Sequence, residues 1–142
     1  MRLKQTVLRI ALLACVLLLF GSDVARGQNC DVEGSWEVSS VRFTDPDGTV
    51  RDVTVGRPPG LKILSPTHWA FVELRADSTV SAGGGRYEVD GDRYTEWVDY
   101  HGGKSYIGKR IDFECRVEED RWYQDGMLPD GTKLEEVYRR AR

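Results

Sequence analysis

Glu96 is the residue in this chain best placed to do chemistry. It lies in residues 83–100, GGGRYEVDGDRYTEWVDY, among Tyr87, Tyr94 and Tyr100. An Asp-Gly pair at 90–91 between two β-rich runs is a strong hairpin signal, and strand alternation then sets Tyr94, Glu96, Val98 and Tyr100 on one face. A carboxylate on an aromatic face is costly to bury alone, so Glu96 either reaches solvent or sits in a cavity with donors around it. Desolvation there would raise its pKa, as suits a proton carrier and equally a merely buried acid.

Two further segments offer partners for such a cavity. His68 shares a strand face with Ala70, Val72 and Leu74, small enough to leave space beside an imidazole. On residues 121–125, outward Arg121, Tyr123 and Asp125 imply inward Trp122 and Gln124. The expected ligand-binding set is therefore His68, Tyr87, Tyr94, Glu96, Tyr100, Trp122 and Gln124, combining apolar walls with a few polar anchors. A filled core in which Glu96 and His68 are simply satisfied is the competing reading.

A glutamate and a histidine facing one lumen would also suit acid–base chemistry, such as an isomerisation or dehydration, which is the enzymatic alternative. No activated nucleophile is recognisable. The two histidines, His68 and His101, fall on different segments without paired spacing, so no metal site is expected, nor any cofactor. Gly103-Lys104-Ser105 has the ending of a phosphate loop, but the first glycine of that motif would fall at Val98, in a strand. A third alternative is a barrel with a packed core that binds another protein through exposed Trp69 or Trp97.

These residues must be positioned by strands. Asp-Gly turns at 47–48, 90–91 and 130–131 punctuate short β-rich runs, and no window has sustained helical periodicity. Strands are predicted at 36–43, 50–55, 61–64, 68–74, 79–81, 86–89, 93–100, 110–117, 121–124 and 134–140. Tight turns without crossover helices imply an antiparallel meander, and closure into a barrel removes its two open edges. Gly83-Gly84-Gly85 suits a bulge that bends a strand round a corner, or a close approach of ligand to backbone. Arg57-Pro58-Pro59-Gly60 is a stiff loop suited either to a rim or to plain connection.

The chain has 142 residues, and the first 27 read as a signal peptide. Arg2, Lys4 and Arg9 precede an apolar run of eleven residues at 10–20, and Ala25-Arg26-Gly27 supplies small residues for cleavage. That run is shorter than the roughly 20 residues a membrane span needs. Cys15 lies inside the run instead of ending it, which argues against lipidation. Residues 28–142 then form one domain, secreted or periplasmic, with no stable membrane anchor. The leader carries a net charge of +3, so its removal takes the chain from −3 to −6. Such acidity disfavours nucleic acid and anionic membranes alike. Cys30 and Cys115 allow one disulfide in an oxidising compartment, or two free thiols.

Gly34-Ser35-Trp36 at the start of the first strand resembles the Gly-x-Trp opening of the calycin superfamily, the lipocalins and their relatives. The resemblance implies that Trp36 plugs the closed end and that a basic residue from the last strand covers its ring. Arg140 shares a face with Leu134 and Tyr138 and is the first choice, with Arg139 second. The segments ILSPTHW at 63–69, YTE at 94–96, WYQ at 122–124 and EVYR at 136–139 are similar to those of small bacterial secreted lipocalin-like domains. The implied fold is all-β, an antiparallel up-and-down barrel of about 8–10 strands. The implied function is binding of a small apolar or amphipathic molecule in the lumen, an expectation that the fold by itself does not establish.

Overall fold

A computed structural model describes residues 30–142. The predicted leader and its cleavage point at 27 lie outside the described residues. Nine strands follow in order: β1 (Gly34–Thr44), β2 (Val50–Val53), β3 (Leu61–Leu64), β4 (His68–Leu74), β5 (Val80–Asp90), β6 (Arg93–His101), β7 (Arg110–Glu118), β8 (Arg121–Met127) and β9 (Lys133–Arg140). A 3-10 turn at Lys104–Tyr106 stands between β6 and β7.

All pairings are antiparallel, and β1 closes the sheet by pairing with β3 on one side and β9 on the other. Eight strands thus make a closed barrel, an arrangement that leaves no edge within the wall. β2 pairs with Val41–Thr44 of β1, beyond the stretch that β3 occupies, and extends the sheet as a flap. Between β2 and β3 lies the Pro58-Pro59 loop, so this loop interrupts what would otherwise be one long strand beside β1.

The three Asp-Gly turns join β1 to β2, β5 to β6 and β8 to β9. At Gly91 the backbone has φ +63°, the left-handed conformation that a two-residue hairpin needs and that glycine adopts without steric cost.

The predicted strands at 79–81 and 86–89 are one continuous strand, β5, that runs through the three glycines. Its register against β6 shifts between Gly84 and Gly85: Gly85 faces Val98 whereas Gly84 faces Tyr100, leaving Asp99 as the extra residue of a bulge. A Cβ on Gly85 would lie 1.9 Å from the Trp97 carbonyl oxygen, so this approach is open to glycine alone.

The core is a tube. Trp36, Tyr94 and Trp122 are fully buried at one end, with Leu64, Trp69 and Tyr138 around them. The short turns at 65–67, 91–92 and 119–120 lie at this closed end, together with the start of β1 and the end of β9. The longer connections after β1, β2, β4, β6 and β8 surround the opposite end, the mouth. A disulfide joins Cys30 to Cys115, with Cα atoms 5.6 Å apart, and ties the segment before β1 to β7.

Candidate functional site

The plug at the closed end is built from both termini of the barrel. The Arg140 guanidinium lies 3.9 Å from the centre of the Trp36 ring, and its Nη1 donates to the Glu33 carbonyl at 2.5 Å. Trp36 Nε1 donates to the Val32 carbonyl at 2.8 Å, so the buried indole has its hydrogen bond satisfied. Arg139, the second choice for this contact, points outward and pairs with Glu37 at 2.7 Å. Alternation along β9 allows only one of two adjacent residues to face the lumen.

Above the plug sits a polar layer. Lys62 Nζ lies 2.5 Å from Glu96 Oε1 and 3.4 Å from Gln124 Oε1. The Tyr94 hydroxyl donates to the same Glu96 oxygen at 2.8 Å, and Gln124 Nε2 donates to Glu136 Oε2 at 2.9 Å. Four rings, those of Trp69, Tyr94, Trp122 and Tyr138, surround the ammonium at 4.9 to 5.5 Å. A lysine taken out of water in this way is held by one carboxylate and by the negative faces of the rings.

Charges in this layer shift one another. Burial pushes the Tyr94 hydroxyl well above the usual tyrosine range, and the neighbouring Glu96 charge adds to it. Tyr138 is raised in the same way, by burial first and then by Glu136 and Glu96. Burial also lifts Glu136 above the ordinary glutamate value, with the Lys62 charge pulling the other way. Glu136 is half-buried, and it faces the mouth side of the layer.

Of the seven residues expected to line a cavity, Tyr94, Glu96, Trp122 and Gln124 converge on this layer. Tyr87 also points inward, but at the closed end, where its ring packs on Tyr94 and its hydroxyl donates to the Ser65 carbonyl at 2.7 Å. His68 and Tyr100 do not join them. The whole His68, Ala70, Val72, Leu74 face of β4 is exposed, and Trp69 and Phe71 take the lumen instead. The two rings bury far more apolar area than the small side chains opposite, and this decides the phase of the strand. His68 Nδ1 lies 2.8 Å from the Thr67 hydroxyl outside the barrel.

Tyr100 is turned outward by the bulge at Asp99: one extra residue inverts the alternation, so His101 takes the inward side. His101 packs against Phe71 and Tyr106 near the mouth. The Glu96–His68 acid–base pair is therefore not assembled. Trp97 faces outward between Arg86 and Arg110, with ring centres 6.0 and 5.8 Å from the two guanidinium carbons.

Two members of the layer escaped the sequence reading. Glu136 was within reach, since it alternates with Leu134 and Tyr138 on the inward face of β9. Lys62 gave no signal, because a lysine in a strand ordinarily marks the solvent side.

Two hollows on the surface lie outside the lumen. One, about 700 Å3, is at the closed end beside the disulfide and is lined by Asp31, Glu33, His68 and Arg86 among others. The second, about 520 Å3, lies against the glycines of β5. No grouping of histidine, cysteine and acidic side chains among the described residues could hold a metal ion.

No protein-family model and no curated protein matches the sequence. Solved structures do match the fold. A lipocalin-like protein from Bacteroides uniformis superposes with a TM-score of 0.51 at 16% identity, over 78% of this chain and 99% of that one. An uncharacterized protein from Bacteroides eggerthii gives 0.50 at 17% identity, over 78% and 100%. A redesigned beta barrel gives 0.50 at 19% identity, over 78% and 92%. At these identities the likeness concerns the fold. The chain is an all-β protein whose closed eight-stranded antiparallel barrel has the lipocalin-like, calycin-type fold.

Proposed function

We propose that this protein binds a small amphipathic molecule in the mouth half of the barrel. The apolar body of the ligand lies against Val38, Phe71 and Leu134, and a hydrogen-bond donor at its inner end meets Glu136 and Gln124. One observation carries this: Glu136 faces the lumen on the mouth side of the layer, and its carboxylate meets only neutral side-chain donors directly, Gln124 Nε2 at 2.9 Å and the Tyr138 hydroxyl, while the Lys62 ammonium is committed to Glu96. A half-desolvated carboxylate at the base of a tube is a polar anchor of the kind small-molecule sites use sparingly. Eight-stranded barrels are wide enough for one small ligand.

Glu136 is thus the anchor in place of Glu96, whose Oε1 already takes both Lys62 and Tyr94. Export fits the same picture: a disulfide between Cys30 and Cys115 suits an oxidising compartment, and residues 1–27 have the pattern of a cleavable leader.

Native mass spectrometry of the protein purified gently from its source, followed by denaturing extraction, tests both parts. The expected result is an N-terminus at Gln28 and a stoichiometric small molecule whose retention falls in Glu136→Gln. A bare mass, with no uptake of amphiphiles offered at micromolar concentration, overturns the binding reading.

A further inference from the structure

We infer that the outer face of β3 to β6 is the contact surface of a homodimer. The outer faces of β7 and of β3 to β6 differ sharply. β7 presents Arg110, Asp112, Glu114 and Arg116 to solvent, as alternation with buried Ile111, Phe113 and Cys115 requires. By contrast, β3 to β6 turn Ile63 on β3, Val72 and Leu74 on β4, Val80 on β5 and Tyr100 on β6 outward, with exposures of 47, 44, 44, 66 and 74%.

Cross-strand pairing makes these residues one surface. Val72 lies opposite Ala82, Leu74 opposite Val80, Ile63 opposite Ala70 and Gly84 opposite Tyr100. At such exposures the five large side chains present on the order of 500 Å2 of apolar area, and Ala70, Ala82 and His68 extend it towards the ~800 Å2 per partner of a standard interface. Arg86 and Asp99, paired at 3.3 Å, bound it towards the closed end.

A second copy fits this face better than other occupants on two grounds. The first is charge. The chain is acidic, with a net charge of −3, so two copies repel over most of their surface, and this face lets them meet with no like charges opposed. An anionic membrane would need a cluster of unpaired basic residues around the patch, whereas Arg86 and Arg75 at its borders are already paired with Asp99 and Glu73.

The second ground is shape. Tyr100 stands proud beside a hollow of about 520 Å3 whose floor is Ala70, Ala82 and Gly84, residues with little or no side chain. A knob and a hole on one face are self-complementary, so a two-fold axis through the face seats each Tyr100 in the partner's hollow. The bulge at Asp99 accordingly has a purpose: it turns Tyr100 from the lumen to this surface.

Sedimentation velocity on the purified protein tests the inference. The wild type is expected to sediment as a dimer at micromolar concentration and to dissociate on dilution. Val72→Lys combined with Tyr100→Asp is expected to weaken self-association at least about tenfold, whereas Glu114→Lys on the charged face of β7 leaves it unchanged. Should the double variant lose its circular dichroism spectrum, Val72→Thr combined with Tyr100→Ser keeps strand-compatible residues and is expected to weaken association in the same direction. A wild type that stays monomeric up to about 100 µM, a dimer that neither pair of substitutions moves, or a monomer that binds lipid vesicles through these residues overturns the assignment.

Discussion

Lys62 on β3 and Glu96 on β6 meet at 2.5 Å across the lumen, with β4 and β5 lying between their strands in the sheet. Each side chain is at most 5% exposed, so neither charge has water to fall back on. On the closed-end side of this pair the tube is filled with aromatic rings, and Glu136 lies on its mouth side.

Breaking the pair is predicted to cost far more than removing it. Lys62→Met leaves a buried carboxylate and Glu96→Gln leaves a buried ammonium, and each is expected to lose about 3–5 kcal/mol in urea unfolding. The double variant Lys62→Met with Glu96→Gln should recover most of that loss. Single variants within about 1 kcal/mol of wild type would mean that water reaches this layer.

The plug at the closed end separates packing from charge. Trp36→Ala is expected to destabilise the barrel by about 3–5 kcal/mol, because it empties a fully buried indole site. Arg140→Met keeps the packing of the stem and loses the cation over the ring together with the hydrogen bond to the Glu33 carbonyl, for about 1–3 kcal/mol. Equal losses in the two variants, measured by the same unfolding curves, would contradict this division.

The disulfide closes a long loop, with Cys30 and Cys115 separated by 85 residues in sequence. Its reduction is expected to cost about 2–5 kcal/mol, read as a lower thermal midpoint with reductant present. Cys30→Ser with Cys115→Ser should reproduce that midpoint and show no further response to reductant. An unchanged midpoint on reduction would place the segment before β1 outside the cooperative unit.

Glu136 predicts a pH dependence with a definite sign. Its folded value is raised above the unfolded one, so between the two the folded chain holds the extra proton. The stability linked to it is fully present below the ordinary glutamate range and is lost as pH rises through the raised value. Glu136→Gln removes that loss, so the unfolding free energy of the variant minus that of wild type should grow with pH across this window and level off above it. Lys62, Glu96, Glu73 and Tyr138 surround the group in both proteins. Asp112 is lowered, chiefly by the Thr95 hydroxyl, and works in the opposite sense: its contribution is lost on acidification. It is common to both proteins and cancels in the difference. A difference that stays flat with pH would place the Glu136 carboxylate in solvent.

The architecture was largely legible because its signals are local. An Asp-Gly turn needs a left-handed glycine wherever it occurs, and alternation about it tells which residues share a face. Hence Trp36, Tyr94, Glu96, Trp122, Gln124 and Arg140 could be placed inward from the sequence, and the resemblance around Gly34-Ser35-Trp36 matched the plug that the barrel builds. Three particulars needed the tertiary structure. Tyr100 depended on a bulge, because one unpaired residue at Asp99 inverts everything after it. The phase of β4 depended on which face the barrel could fill, and the rings of Trp69 and Phe71 outweighed the small side chains beside His68. Lys62 was invisible because a strand lysine belongs inside only when a carboxylate and aromatic faces meet it there, and those come from β4, β6, β8 and β9. Local backbone preference therefore determined the strands and turns, whereas long-range packing and charge compensation decided which side chains share the lumen.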